Sequence, residues 1–136
     1  MGAADASKNS ELPLNVKYVG RLNDDKSIVE CYNSADIFTA PSLQDNLPNT
    51  VMESLSCGVP VVAFNIGGMP EMVAHKMNGY LAEEKSVEDF ANGIEFLVSQ
   101  KDKLLEFGNS ARELVLNSFT EEIVSKQYIE LYKTLL

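Results

Sequence analysis

The sequence holds a single histidine, His75, and only two cysteines, Cys31 and Cys57, in 136 residues. One histidine leaves no metal-ligand spacing and no catalytic triad for acyl chemistry. Two cysteines make no disulfide framework. Each sits in a helical apolar context, as buried free thiols of a reducing compartment do. Positive charge is scarce as well: 11 Lys and Arg against 20 Asp and Glu give a net charge of −9. That balance excludes a general nucleic-acid binder and an anionic-membrane patch. It does not exclude a phosphate-bearing small molecule, which a few backbone N–H groups can hold. No apolar run approaches the roughly 20 residues that span a bilayer, and no signal-peptide pattern is visible, so the expected setting is cytoplasmic. No internal repeat or low-complexity tract appears.

What is present reads as one soluble domain. Apolar residues make up 45% and charged residues 23%, the ordinary balance of a globular chain with a sizeable core. Residues 1–13 are small and polar without periodicity and are expected to be a flexible N-terminal segment. The domain is expected over residues 14–136.

Within it, Val16 to Val19 alternates as a short strand ending at Gly20. Asp24 to Ala35 carries Ile28, Val29, Tyr32 and Ala35 at helical spacing, with Asp24 or Asp25 as cap. Asp36 to Ala40 is a second strand stopped by Pro41. Pro48 suits the first turn of the next helix, which Gly58 ends. Pro60 to Phe64 is apolar without alternation, the mark of a strand buried on both faces of a parallel sheet. A short helix from Met69 to His75 and a strand from Gly79 to Ala82 follow. Ser86 to Val98 opens with Ser86 and Asp89 in capping-box spacing. Leu104 to Leu116 and Glu121 to Leu135 are helical, broken at Phe119-Thr120. Alternating strands and helices predict a layered, Rossmann-like α/β fold, a three-layer sandwich around a short, mainly parallel sheet of about four strands. Ligands bind such sheets beyond the carboxyl ends of the strands, where the loops at Pro41 and Asn65 begin.

The densest stretch runs from Pro41 to Val73. Asp45 precedes a helix and Glu53 lies eight positions later inside it. Carboxylates so spaced can grip hydroxyls, while the free N–H groups between them can hold a phosphate. A loop Asx-turn for Asp45 and an exposed helix glutamate for Glu53 are the plainer alternatives. Gly67-Gly68 serves either a tight turn or a close ligand approach. His75 fits an exposed cation near a helix end.

This stretch resembles the retaining GT-B glycosyltransferases of the GT4 type, whose signature is close to PS-x-x-EGFG-x-x-x-x-EA-x-A-x-G-x-PVVA. Pro41-Ser42 matches. Asp45-Asn46-Leu47-Pro48 stands for EGFG, and Glu53-Ser54 for EA. Cys57 to Ala63 matches closely, Gly67-Gly68 with Pro70-Glu71 follows, and Asn78-Gly79 fits the later NG turn. The resemblance covers about Val19 to Leu136. It implies that Glu53 binds the nucleotide ribose. It implies that Asp45, one methylene shorter than the usual glutamate, faces the donor sugar. Asn46, Leu47, Asn49 and Thr50 would line the sugar and diphosphate; Pro48 offers no N–H, so the cradle shifts to Asn49 and Thr50.

Arg21 and Lys26 imitate the family's diphosphate pair. Yet only fourteen residues separate Arg21 from Asp36, where the family has a further strand-helix-strand passage. Arg21 and Leu22 therefore align with a later loop whose backbone faces the nucleobase. By this alignment the chain is expected to be the later part of a C-terminal donor-binding domain, inactive alone. The resemblance implies a nucleotide-sugar donor, no metal, and a glycan or lipid-linked acceptor held by another domain. It also places the parent in the cytoplasm or against the inner face of the membrane. Ile123, Tyr128, Leu131, Tyr132 and Leu135 on the last helix are expected to leave apolar surface that can drive homodimer formation. A non-catalytic nucleotide-binding or interaction module is the alternative.

Overall fold

The computed structural model describes residues 15–136; the expected flexible segment at residues 1–13 lies outside them. Helix α1 spans Asp25–Asn33, strand β1 Phe38–Ala40, α2 Asn49–Ser56, β2 Val61–Phe64, α3 Met69–Met72 and β3 Gly79–Ala82. Helices α4 (Val87–Ser99), α5 (Leu104–Ser118) and α6 (Glu121–Leu135) complete the chain, with a 3-10 turn at Lys101–Lys103 leading into α5.

The sheet is parallel throughout, in the order β1-β2-β3. Strand β2 is central and all four of its residues are buried, which is why its sequence does not alternate. Its side chains still divide by parity. Val61 and Ala63 enter a core with Val51, Leu55, Met69, Met72 and Ala111. Val62 packs on the opposite face with Leu97 and Phe107, flanked by Tyr80 and Ile94. Helices α2 and α3 thus form one layer, the sheet the second and α4 the third, while α5 gives Ala111 to the first core and Phe107 to the second. Burying a side chain such as Leu55 or Leu97, both fully enclosed, contributes about 1.5–3 kcal/mol.

Helix ends follow their local chemistry. The Asp24 carboxylate accepts the Ser27 N–H at 2.9 Å and caps α1. The Ser86 hydroxyl accepts the Asp89 N–H at 3.2 Å and caps α4. The reciprocal arm of the expected capping box is not made. Asp89 instead accepts the Glu83 N–H at 2.7 Å and the Tyr80 hydroxyl at 2.8 Å, tying α4 to β3. At its other end α2 is closed by Arg112 of α5, whose guanidinium donates to the Ser56 carbonyl at 2.5 Å.

Two sequence expectations are overturned here. Val16 to Val19 forms no strand; the segment is irregular and exposed, so among the described residues the sheet has three strands rather than four. Helix α3 ends at Met72 instead of reaching His75. Val73 is extended, and buried Asn78 reaches back to accept the Ala74 N–H at 2.8 Å and donate to the Met72 carbonyl at 3.1 Å. His75 lies beyond the helix end, where its Nδ1 accepts the Leu81 N–H at 3.1 Å.

Candidate functional site

The carboxyl ends of β1 and β2 release two loops that meet. Gly68 N–H donates to the Asn46 carbonyl at 2.8 Å. Gly67 has φ of +49°, and a Cβ there would collide with the Asp45 carbonyl. Leu47 lies over Gly68 with its isobutyl group where a Cβ would point. The glycine pair is therefore needed for loop-to-loop contact, a use more specific than the tight turn or ligand approach read from sequence. The result is a fixed position for Asp45, which is half-buried and accepts its neighbour's N–H, that of Asn46, at 2.8 Å.

Helix α2 starts beside this loop. Pro48 is its N-cap, just outside the first turn, and its carbonyl accepts the N–H groups of Val51 and Met52. No side chain caps the helix. The N–H groups of Asn49 and Thr50 thus stand at the positive end of the helix dipole, open to an external acceptor.

Glu53 follows one turn later. Val51, Ser54 and Leu55 form the buried face of α2, and Glu53 is exposed. It has a partner all the same. Tyr32 of α1 donates its hydroxyl to Glu53 Oε2 at 3.0 Å and lies 3.2 Å from the Thr50 carbonyl. Burial and the adjacent carboxylate both push the Tyr32 phenol well above its ordinary pKa, so it stays a donor at neutral pH.

Between α1 and α2 runs a cleft of about 430 Å³. Asn49, Met52, Glu53, Ser56 and Cys57 line one wall; Asp25, Ile28, Val29 and Tyr32 line the other. Asn49 and Glu53, four residues apart, share the cleft face. Asp45, Asn46 and Leu47 lie outside this cleft, on the loop after β1 that packs against the Gly67 loop. Arg21, exposed, and Leu22, half-buried, lie just ahead of α1, the helix that supplies the second wall. Cys31 and Cys57 are free and half-buried rather than fully buried. Burial raises the Cys57 thiol above its ordinary pKa despite nearby Arg112. Among the described residues no three His, Cys, Asp or Glu side chains converge as a metal site, and no helix is long and apolar enough to cross a membrane.

Sequence reasoning missed Tyr32 as a site residue, counting it only in the apolar stripe of α1. The available signal was its hydroxyl, which a packed tyrosine must satisfy.

A parallel sheet flanked by helices, with ligand-competent loops at its carboxyl edge, defines a Rossmann-like α/β domain. The chain belongs to the family of glycosyl transferases group 1, whose model matches residues 3–114. It is 29% identical over 117 residues to the N,N'-diacetylbacillosaminyl-diphospho-undecaprenol alpha-1,3-N-acetylgalactosaminyltransferase of Campylobacter jejuni, covering 86% of this chain and 30% of that protein. Among solved structures it is similar to sucrose-phosphate synthase from Thermosynechococcus elongatus. There the TM-score is 0.78 at 26% identity, over 88% of this chain and 30% of that one. It is also similar to TarM of S. aureus, solved with fondaparinux, alpha-GlcNAc-glycerol and UDP. That match has a TM-score of 0.69 at 25% identity, over 78% of this chain and 22% of that one. The chain spans about a third of the length of the curated relatives it matches.

Proposed function

We propose that this chain is the donor-binding part of a retaining, GT4-type glycosyltransferase that moves a sugar from a nucleotide-sugar to a glycan or lipid-linked acceptor. One observation carries the reading. The uncapped start of α2 lies next to the Asp45 loop, which is pinned on Gly67-Gly68, with Glu53 one turn further in. Phosphate, sugar hydroxyl and ribose diol each have a complementary group there.

In this reading the Asn49 and Thr50 N–H groups hold the donor diphosphate, helped by the helix dipole. Asp45 accepts from sugar hydroxyls, with the Asn46-Leu47 backbone alongside. Glu53 accepts from the ribose diol, and the backbone at Arg21-Leu22 faces the nucleobase. The chemistry is electrostatic. Fixed donors stabilise charge on the leaving diphosphate while an acceptor hydroxyl, presented by another part of the enzyme, attacks the anomeric carbon. No metal is required. The UDP in the TarM structure supports a nucleoside diphosphate as ligand. The enzyme would work in the cytoplasm, at or near the inner membrane face. The exposed apolar side chains Tyr128, Leu131, Tyr132 and Leu135 of α6 offer a surface for a homodimer.

The test is calorimetric titration of the full-length protein carrying this chain with UDP, GDP and ADP and their sugar conjugates, followed by NMR of the product's anomeric configuration. Saturable binding of one base class and a product that keeps the donor's configuration are expected. Absence of binding to every nucleoside diphosphate would refute the reading; an inverted product would refute retention alone.

A further inference from the structure

Glu53 does not stand alone at the cleft. Its Oε2 accepts the Tyr32 hydroxyl at 3.0 Å, and the same hydroxyl lies 3.2 Å from the Thr50 carbonyl, one turn back on α2. Tyr32 is itself held in place. Its ring meets Phe38 of β1 edge-to-face, with centroids 5.6 Å apart. Tyr32 therefore connects three elements: β1 through its ring, and α2 twice through its oxygen. An exposed glutamate on a helix samples several rotamers, and ordering it on ligand binding costs entropy. A charge-assisted bond from a fixed phenol removes part of that freedom in advance.

We infer that Tyr32 is a positioning residue that presents the Glu53 carboxylate to a vicinal diol and so sets the preference of this site for ribonucleotides over 2′-deoxyribonucleotides. This rests on the ribose role proposed for Glu53. The stoichiometry fits. An ionised carboxylate has about four lone-pair sites. Tyr32 occupies one on Oε2, leaving Oε1 and the second Oε2 lone pair for the two hydroxyls of a diol. Because the phenol stays protonated at neutral pH, the device does not switch with pH in the working range. Phenylalanine at this position keeps the ring against Phe38 and loses only the hydroxyl.

The experiment measures affinities of the full-length protein for UDP, GDP and ADP and for their 2′-deoxy counterparts, in wild type, Tyr32→Phe and Glu53→Gln. For the base that binds, Tyr32→Phe is expected to weaken the ribonucleotide by about three- to ten-fold, the effect of one hydrogen bond. The deoxynucleotide should change by less than about two-fold on the same scale, so discrimination falls. A merely structural role would weaken both nucleotides equally and overturn the inference. Tighter ribonucleotide binding in Tyr32→Phe would mean that Tyr32 competes with the diol, and would overturn it too. If Glu53→Gln retains full discrimination, the ribose reading fails and Tyr32's role goes with it. If Glu53→Gln loses discrimination and Tyr32→Phe keeps it, only the role of Tyr32 fails. No binding of any nucleoside diphosphate overturns both.

Discussion

The amide of Gly68 and the carbonyl of Asn46 are joined at 2.8 Å, and this bond fixes the loop after β2 to the loop after β1. The position of Asp45 is thus decided by a glycine pair more than twenty residues further along the chain.

Gly67→Ala tests that dependence. The new methyl would meet the Asp45 carbonyl, at a φ that side chains rarely adopt. A loss of about 1–3 kcal/mol is expected from the overpacking and strain. Thermal melts should register it as a drop of several degrees. A variant as stable as wild type would show that the two loops separate without cost.

Glu53→Ala tests the other end of the site. Glu53 is exposed and outside the core, so its truncation should leave the melting temperature within a degree or so. Nucleoside diphosphate affinity should fall roughly ten- to hundred-fold, the effect of about 1.5–3 kcal/mol of charge-assisted hydrogen bonding. Unchanged affinity with a lowered melting temperature would make Glu53 a structural partner of Tyr32 alone.

Much of this was legible beforehand. Strand β3 and helix α6 fall on the residues expected: Gly79 opens the strand after the Asn78 turn, and the Thr120 hydroxyl caps the helix through the Ile123 N–H. The meeting of the Asp45 and Gly67 loops follows from both being carboxyl-end loops of adjacent parallel strands. What was not legible depended on contacts between distant residues. The segment at Val16 has strand character in its sequence, yet its backbone takes no strand conformation. His75 reads as a helix-end residue until the Leu81 N–H is found beside its ring, beyond the end of α3. Asp89 reads as half of a capping box until Tyr80 and Glu83 claim its oxygens. Tyr32 sits at helical spacing like any core residue, and only the fold brings Glu53 to its hydroxyl.

Asp89 gives the chain a defined acid response. The Glu83 N–H first, and then the Tyr80 hydroxyl, hold its carboxyl below the usual range. A depressed carboxyl pKa stabilises the fold above the unfolded value of about 3.9, and that stability is lost as pH falls through the folded value. The same bond pushes the Tyr80 phenol up, so the pair persists through neutral pH. Asp89→Asn should therefore melt below wild type at neutral pH, with the gap closing below about pH 4. Melts at a series of pH values check this; a gap constant down to pH 2 would assign the cost to geometry instead of charge.

Asn78→Ala probes the turn between α3 and β3. Asn78 is 2% exposed and uses both ends of its amide, accepting from Ala74 and donating to Met72. Truncation leaves those two groups without their partner in a buried setting. A loss of about 1–3 kcal/mol is expected in denaturant unfolding, with nucleotide affinity nearly unchanged, since the turn lies before the amino end of β3.

The two borders of the sheet differ in kind. Along β3, the outward Leu81 N–H is taken by His75 and the outward Gly79 carbonyl by the Lys76 N–H at 2.7 Å. Along β1, Phe38 and Ala40 bond inward to β2, and the main chain of exposed Thr39 faces outward. Among the described residues, the border along β3 is thus occupied and the border along β1 is the one left for growth. Any further strand, from the same polypeptide or from a neighbouring molecule in a concentrated sample, must join beside Thr39.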